Sequence, residues 1–186
     1  MQIGPYSFEA YCEKVTEFHS YPAPGVLMGG FLVSAAQQQL PTSGLYNVIC
    51  ETRKCLPDAI QLLTPCTIGN GWLKILDIGR FAAVFYNKET GAGVRVFTDA
   101  PKLEAWPEIS KWFFSRVPKD AQDKTALLEQ INTAGTRLFS SRFVTVQPPF
   151  LGKHAHSRIV ICPQCHEAYP ASEQPMCKGC QQGLPY

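Results

Sequence analysis

Four of the eight cysteines in this 186-residue chain are spaced for metal chemistry: Cys162-Pro163-Gln164-Cys165 and Cys177-Lys178-Gly179-Cys180 form two Cys-x-x-Cys knuckles. Each knuckle lets two thiolates of one tight turn approach a single ion at about 2.3 Å, and two knuckles complete the tetrahedron that structural zinc prefers. Eleven residues separate Cys165 from Cys177, fewer than in the commonest zinc-ribbon loop but enough for a compact knuckle pair. Rubredoxin-like iron takes the same four sulfurs, so the spacing fixes the ligands better than the element, and zinc is the expected ion. A pair of disulfides is the competing arrangement, and a two-residue gap strains such a bridge. His154, His156 and His166 flank the unit, but four thiolates already complete the ligand set.

A second, sparser set is His19, Cys55 and Cys66, with Asp58 three residues beyond Cys55. Thiolates and an imidazole suit zinc or a softer metal, and a neighbouring carboxylate can orient the histidine or join the ligands. Cys55 and Asp58 stand at the entrance of an expected helix, whose dipole would lower the thiol pKa and sharpen it as ligand or nucleophile. The alternatives are a pocket for a small organic ligand without metal, or a helix-end histidine beside two cysteines that fill the core. A thiol enzyme would need His19 within hydrogen-bond reach of Cys55 or Cys66. The residues leave open whether the chain is an enzyme.

With 45% hydrophobic and 17% charged residues, the chain can bury one good core and carry a small appendage. The net charge of +2 is scattered and gives no strong argument for nucleic acid. Lys153, His154, Arg158 and Lys178 make only a thin basic surface near the knuckles, so a regulatory nucleic-acid-binding protein is a competing reading. Glu9, Glu13, Lys14 and Glu17 interrupt the early apolar residues, which is unlike a signal segment, and no stretch has the length of a membrane span. A cytoplasmic protein is expected, with Cys12, Cys50, Cys55 and Cys66 as reduced thiols, core fillers or ligands.

The elements that must position these residues are legible as periodicity. Phe8, Tyr11, Cys12, Val15 and Phe18 recur at helical spacing behind a capping Ser7. The Pro/Gly stretch from Pro22 to Gly25 ends that helix, and Val26 to Leu40 is apolar on nearly every face, a buried helix with Gly29 and Gly30 admitting a close neighbour. Beyond a turn at Thr42 to Gly44, Leu45 to Glu51 reads as a strand and Pro57 to Leu63 as a short helix. Trp72 to Ile78, Phe81 to Tyr86 and Gly93 to Thr98 read as an antiparallel meander turning at Ile78-Gly79-Arg80 and at Glu89-Thr90-Gly91. Arg95, in the last of these strands, is expected to pair with an acid on the sheet surface rather than hold a carboxylate in a pocket. Gly69-Asn70-Gly71 reads as a turn and not a phosphate cradle. Helices are expected over Ala105 to Phe114 and Asp120 to Ile131, a last strand over Phe143 to Val146, and a linker over Gln147 to Lys153. Aromatic residues Trp106, Trp112, Phe113 and Phe114 suit a core or a dimer contact. The expected fold class is α+β, with a mixed, mostly antiparallel sheet packed with helices and a small C-terminal zinc-knuckle domain. Residues 1–148 are expected to form the core domain and 149–186 the four-cysteine domain.

The run Cys55-Leu56-Pro57-Asp58-Ala59-Ile60-Gln61, followed by Leu63-Thr64-Pro65-Cys66-Thr67-Ile68-Gly69-Asn70-Gly71, Asp77-Ile78-Gly79-Arg80 and Gly93-Val94-Arg95-Val96, resembles the FmdE family of formylmethanofuran dehydrogenase components in order and spacing. His19-Ser20-Tyr21-Pro22-Ala23-Pro24-Gly25 falls where that family carries a His-Gly-His-x-Cys-Pro-Gly motif. The four-cysteine unit resembles the zinc domain appended in many members. The resemblance implies an α+β core and a homodimer, with a place beside tungsten- or molybdenum-dependent enzyme subunits of one-carbon metabolism related to methanogenesis. It does not imply that this chain is the catalytic subunit. Tyr21 and Ala23 stand where the family motif has a histidine and a cysteine, so two ligands are lost from any metal site in the core.

Overall fold

A computed structural model describes residues 1–40, 45–151, 157–173 and 175–184. The expected turn at Thr42 to Gly44, and Lys153, His154 and His156 beside the knuckles, lie outside the described residues. The chain forms two compact units, Met1–Gly152 and Lys153–Tyr186.

The first unit opens with a minimal hairpin, β1 (Gln2–Ile3) and β2 (Tyr6–Ser7), and continues into helix α1 (Phe8–His19). Ser7 caps α1 as its side chain predicts, the hydroxyl accepting the Ala10 amide at 3.1 Å. Helix α2 (Pro24–Gln37) follows and is buried from Gly25 to Ser34, as a sequence without a polar face requires. Then come β3 (Tyr46–Cys50), α3 (Leu56–Leu63), β4 (Leu73–Ile75), β5 (Ala82–Asn87) and β6 (Ala92–Thr98). The unit closes with α4 (Ala100–Leu103), α5 (Pro107–Phe113), α6 (Lys124–Ala134), β7 (Phe139–Thr145) and α7 (Pro148–Leu151).

Strands β3 to β7 make a five-stranded sheet in the order β4-β3-β5-β6-β7. This corrects the expected meander at one point: β4 lies parallel to β3 on its far side, and β5 pairs with β3 and β6, both antiparallel. A hairpin reverses direction, whereas the chain between β3 and β4 passes through α3, and such a crossover returns it parallel to the strand it left. The Asp77 to Arg80 segment therefore crosses past β3, where Ile78 and Arg80 both donate to the Glu51 carbonyl at 3.2 and 3.1 Å.

Alternation divides the central strands between two cores. Val48 and Cys50 of β3, Ala83 and Phe85 of β5, and Val94 and Val96 of β6 join the main core with α1 and α2. Ile49, Val84 and Tyr86 point to the other face and meet Val146 and Leu151 there. The expected linker at Gln147 to Lys153 is thus in part a structural strap, because α7 returns Leu151 to this face and the Phe150 carbonyl accepts from Lys74 Nζ at 2.7 Å. Strand β7 begins four residues earlier than expected, since Phe139 to Phe143 continue the ladder on β6. Pro107 starts α5 later than expected, and Asp123 caps α6 by accepting the Ala126 amide at 2.9 Å.

The two glycines of α2 admit different neighbours. A Cβ on Gly29 would lie 2.7 Å from Ala59 Cβ of α3, and one on Gly30 would lie 2.6 Å from the Tyr11 ring and 2.7 Å from Ile3. Both groups facing Gly30 are fully buried and cannot swing away. Gly30→Ala is therefore expected to destabilise the first unit by about 1–3 kcal/mol through overpacking, despite alanine's better helix propensity. A lowered urea midpoint measures this, and an unchanged or raised midpoint would contradict the packing described.

Candidate functional site

In the second unit, β8 (Ile159–Ile161) and β9 (Ala168–Pro170) form a hairpin, and α8 (Lys178–Gln182) follows. The first knuckle is the hairpin turn. It closes through the Cys162 amide donating to the Glu167 carbonyl at 2.8 Å and the His166 amide donating to the Cys162 carbonyl at 3.0 Å. His166 takes φ 63° there, a left-handed conformation that histidine tolerates better than most side chains. The second knuckle is the start of α8, with Cys177 at the N-cap and its sulfur accepting the Cys180 amide at 3.5 Å. The hairpin supplies two sulfurs and the helix two more.

The Sγ atoms of Cys162, Cys165, Cys177 and Cys180 all lie within 4.8 Å of one another. Two pairs stand at 3.9 Å (Cys162 to Cys180) and 3.7 Å (Cys165 to Cys177). A tetrahedral ion with metal–sulfur bonds of about 2.3 Å sets its sulfurs about 3.8 Å apart, whereas a disulfide needs about 2.05 Å. The geometry fits zinc or another tetrahedral ion, and all four cysteines are free thiols rather than paired disulfides. His166 is not among the converging ligands.

The thiols differ in how readily they lose their protons. Backbone hydrogen bonds, first from Cys165 and then from Cys177, lower the Cys162 thiol to about 6. Burial first, and then hydrogen bonding among the neighbouring sulfurs, pushes Cys180 up to about 12. An incoming metal ion must therefore displace protons, and each displaced proton weakens binding tenfold per unit of falling pH.

The core set does not assemble as the sequence suggests. His19 closes α1 and Asp58 lies in the first turn of α3, and their Nδ1 and Oδ2 atoms meet at 2.9 Å with both side chains partly exposed. Cys55 is the N-cap of α3 at φ 58°, and its sulfur sits where Gly25 leaves room, since a Cβ on Gly25 would lie 2.7 Å from it. Cys66 lies beyond the other end of α3, buried, with its thiol donating to the Tyr46 carbonyl at 3.3 Å. An eight-residue helix rises about 12 Å, so Cys55 and Cys66 cannot share an ion. Among the described residues, the four knuckle cysteines are the one group of three or more His, Cys, Asp or Glu whose ligand atoms converge. His19, Asp58 and Cys55 make a pair and a neighbour, short of a metal cage.

Nor is Cys55 activated. Burial raises its thiol pKa, Asp58 raises it further, and Lys54 only partly opposes them. The expected dipole effect of α3 is outweighed. The Cys66 thiol is likewise raised by burial. Because a raised pKa leaves less thiolate at neutral pH, Cys55 in the folded protein should be alkylated by iodoacetamide at pH 7 more slowly than free cysteine. Its rate should climb as the solution is made more alkaline. Rapid labelling at pH 7 would contradict this environment.

Two features go beyond what the residue pattern announces. Arg95 pairs with an acid, as expected, but the pair is buried rather than on the surface: Nε donates to Glu51 Oε1 at 2.6 Å and Nη2 to Oε2 at 2.7 Å. The alternation of β3 carries the signal, because Glu51 follows Ile49 onto the same face as Arg95. The other is a cleft of about 680 Å³ in which Cys55 is one wall. Cys12 and Cys50 are core residues as expected, with Cys50 fully buried. Asn70 closes the Gly69-Asn70-Gly71 turn, its side-chain oxygen accepting the Thr67 and Trp72 amides.

The profile described as "FmdE, Molybdenum formylmethanofuran dehydrogenase operon" matches residues 18–145, and that of the FmdE treble clef zinc finger matches residues 153–186. The crystal structure of an FmdE-like protein of tungsten formylmethanofuran dehydrogenase, from Syntrophus aciditrophicus, is similar over 100% of this chain and 97% of its own, at 52% identity and a TM-score of 0.91. A curated relative in Archaeoglobus fulgidus, named a probable S-adenosyl-L-methionine-binding protein, is 27% identical over 155 residues. That match takes in 73% of this chain and spans 42% of the relative's length. No helix among the described residues is long and apolar enough to cross a membrane.

Proposed function

The chain belongs to the FmdE family, and on that premise we propose an accessory protein of tungsten- or molybdenum-dependent one-carbon enzymes of the formylmethanofuran dehydrogenase type. It carries zinc on Cys162, Cys165, Cys177 and Cys180 and, in its core unit, an organic ligand rather than a metal. The observation that carries this reading is the convergence of four sulfurs at the separations a tetrahedral ion sets. Family membership supplies the context for it.

Zinc held by four thiolates keeps no open position, so its role is structural. It joins the hairpin of β8 and β9 to α8 and gives the unit a fixed surface for docking. The core supports a non-catalytic part, since His19 is turned to Asp58 and the Cys55 and Cys66 thiols are raised. The name of the Archaeoglobus fulgidus relative is a precedent for a small organic ligand. A homodimer belongs to the same reading, supported by the edge strand β7 with Phe143 81% exposed. The cytoplasm is the compartment that keeps such thiolates reduced.

The test is affinity purification of the tagged chain from its own host. The metal-cofactor subunits should co-purify, with tungsten or molybdenum in the eluate, and Cys162→Ser should lose them. A chain that elutes with zinc alone and no such subunits would contradict the accessory role.

A further inference from the structure

We infer that the open cleft beside Cys55 is a binding site for a planar organic anion, a ring system bearing a phosphate or carboxylate. This deepens the reading of the core unit as a ligand carrier and rests on it. The cleft of about 680 Å³ is large enough for a ring with a charged tail, within the range of small-molecule sites. Its apolar wall is aromatic. Phe81 and Phe113 meet edge to face at 6.2 Å and 79°, and Trp112 meets Phe113 at 6.0 Å and 65°. Partly buried aromatic side chains that border open space offer ring faces and edges on which a planar ligand packs.

The polar wall is cationic. Lys54, Arg116 and Lys119 line the cleft and no carboxylate does. Arg116 is engaged, its Nη2 donating to Glu104 at 2.6 Å. The ammonium groups of Lys54 and Lys119 are exposed and have no ion-pair partner among the described residues. The first turn of α2 reaches the cleft at Gly25, and Cys55 is the N-cap of α3. Gly25 is what lets α2 come so close, since a side chain there would strike the Cys55 sulfur. Aromatic walls and unpaired cations on the rim together select a ring with a negative charge over either a neutral ring or a bare anion.

Binding to the full chain tests this, with flavin mononucleotide as a phosphate-bearing ring, 2-naphthoate as a carboxylate-bearing ring, riboflavin as the uncharged comparator and inorganic phosphate as the ringless one. At least one charged ring should bind at least tenfold more tightly than riboflavin and phosphate. Lys54→Ala/Lys119→Ala should weaken it at least tenfold while leaving riboflavin unchanged, and Trp112→Ala should weaken the charged ring and riboflavin alike. Which charged ring binds separates phosphate from carboxylate as the recognised group. Equal binding of flavin mononucleotide and riboflavin, untouched by the lysine variant, would overturn the anion assignment and leave the ligand-carrier reading standing. Failure of every ring probe to bind wild type would overturn both. Charged-ring binding that survives both the lysine and the tryptophan variants would place the ligand elsewhere and overturn the cleft.

Discussion

Cys162→Ser or Cys177→Ser is expected to remove the bound zinc and unfold the second unit while the first stays folded. The reason is the small core of that unit. Cys162 and Tyr169 are the buried apolar side chains among its described residues, and two side chains cannot offset the chain entropy of ordering a domain. The ion must do so, and structural zinc supplies about 10–16 kcal/mol of apparent binding free energy at neutral pH, most of it spent on folding the ligands into place. With one thiolate gone, metal content should fall from one equivalent per chain to near zero under mild chelation. Amide exchange in Ile159–Ile161 and Lys178–Gln182 should then accelerate to unfolded rates. Slow exchange there without metal would show that hairpin and helix hold each other unaided.

Arg95→Met should have the largest effect on the first unit, destabilising it by about 3–5 kcal/mol through the carboxylate it leaves behind. Glu51 and Arg95 side chains are only 8% and 11% exposed, and removing the guanidinium strands a buried charge. The arginine also packs over the Phe97 ring at 4.9 Å, so its loss costs contact as well as charge. The pair itself need not be net stabilising. Glu51→Gln/Arg95→Met should recover a substantial part of the loss, because the amide no longer buries a charge. Chemical denaturation of the two variants measures this. A single variant within about 1 kcal/mol of wild type, the range of an ordinary exposed pair, would mean the carboxylate finds solvent or another partner.

How much is legible differs between the two units for a physical reason. The knuckles are local: sequence spacing alone places each pair of sulfurs, and only the docking of hairpin on helix has to be supplied. In the first unit the local signals hold, from the Ser7 cap to the fully buried α2 and the close approaches at Gly29 and Gly30. Pairing beyond the nearest neighbour does not, because β4 has the same strand pattern whether it turns onto β5 or crosses back to β3. The core site fails for a related reason. Cys55 and Cys66 are neighbours in the motif, but the helix between them is a rigid spacer, and of the expected contacts only the orientation of His19 by the Asp58 carboxylate is formed. The cleft at Cys55 is invisible in the sequence because Lys54 and Cys55 are far in the chain from Trp112 and Lys119.

The most direct measurement is metal content per chain by elemental analysis on the intact protein and two variants, Cys162→Ser/Cys165→Ser and His19→Ala/Cys55→Ser. One equivalent of zinc is expected in wild type, none in the knuckle variant, and one still in the core variant. A second equivalent in wild type that persists in the knuckle variant and disappears with His19 and Cys55 would contradict the account, since it would put a metal in the core where the ligands do not converge.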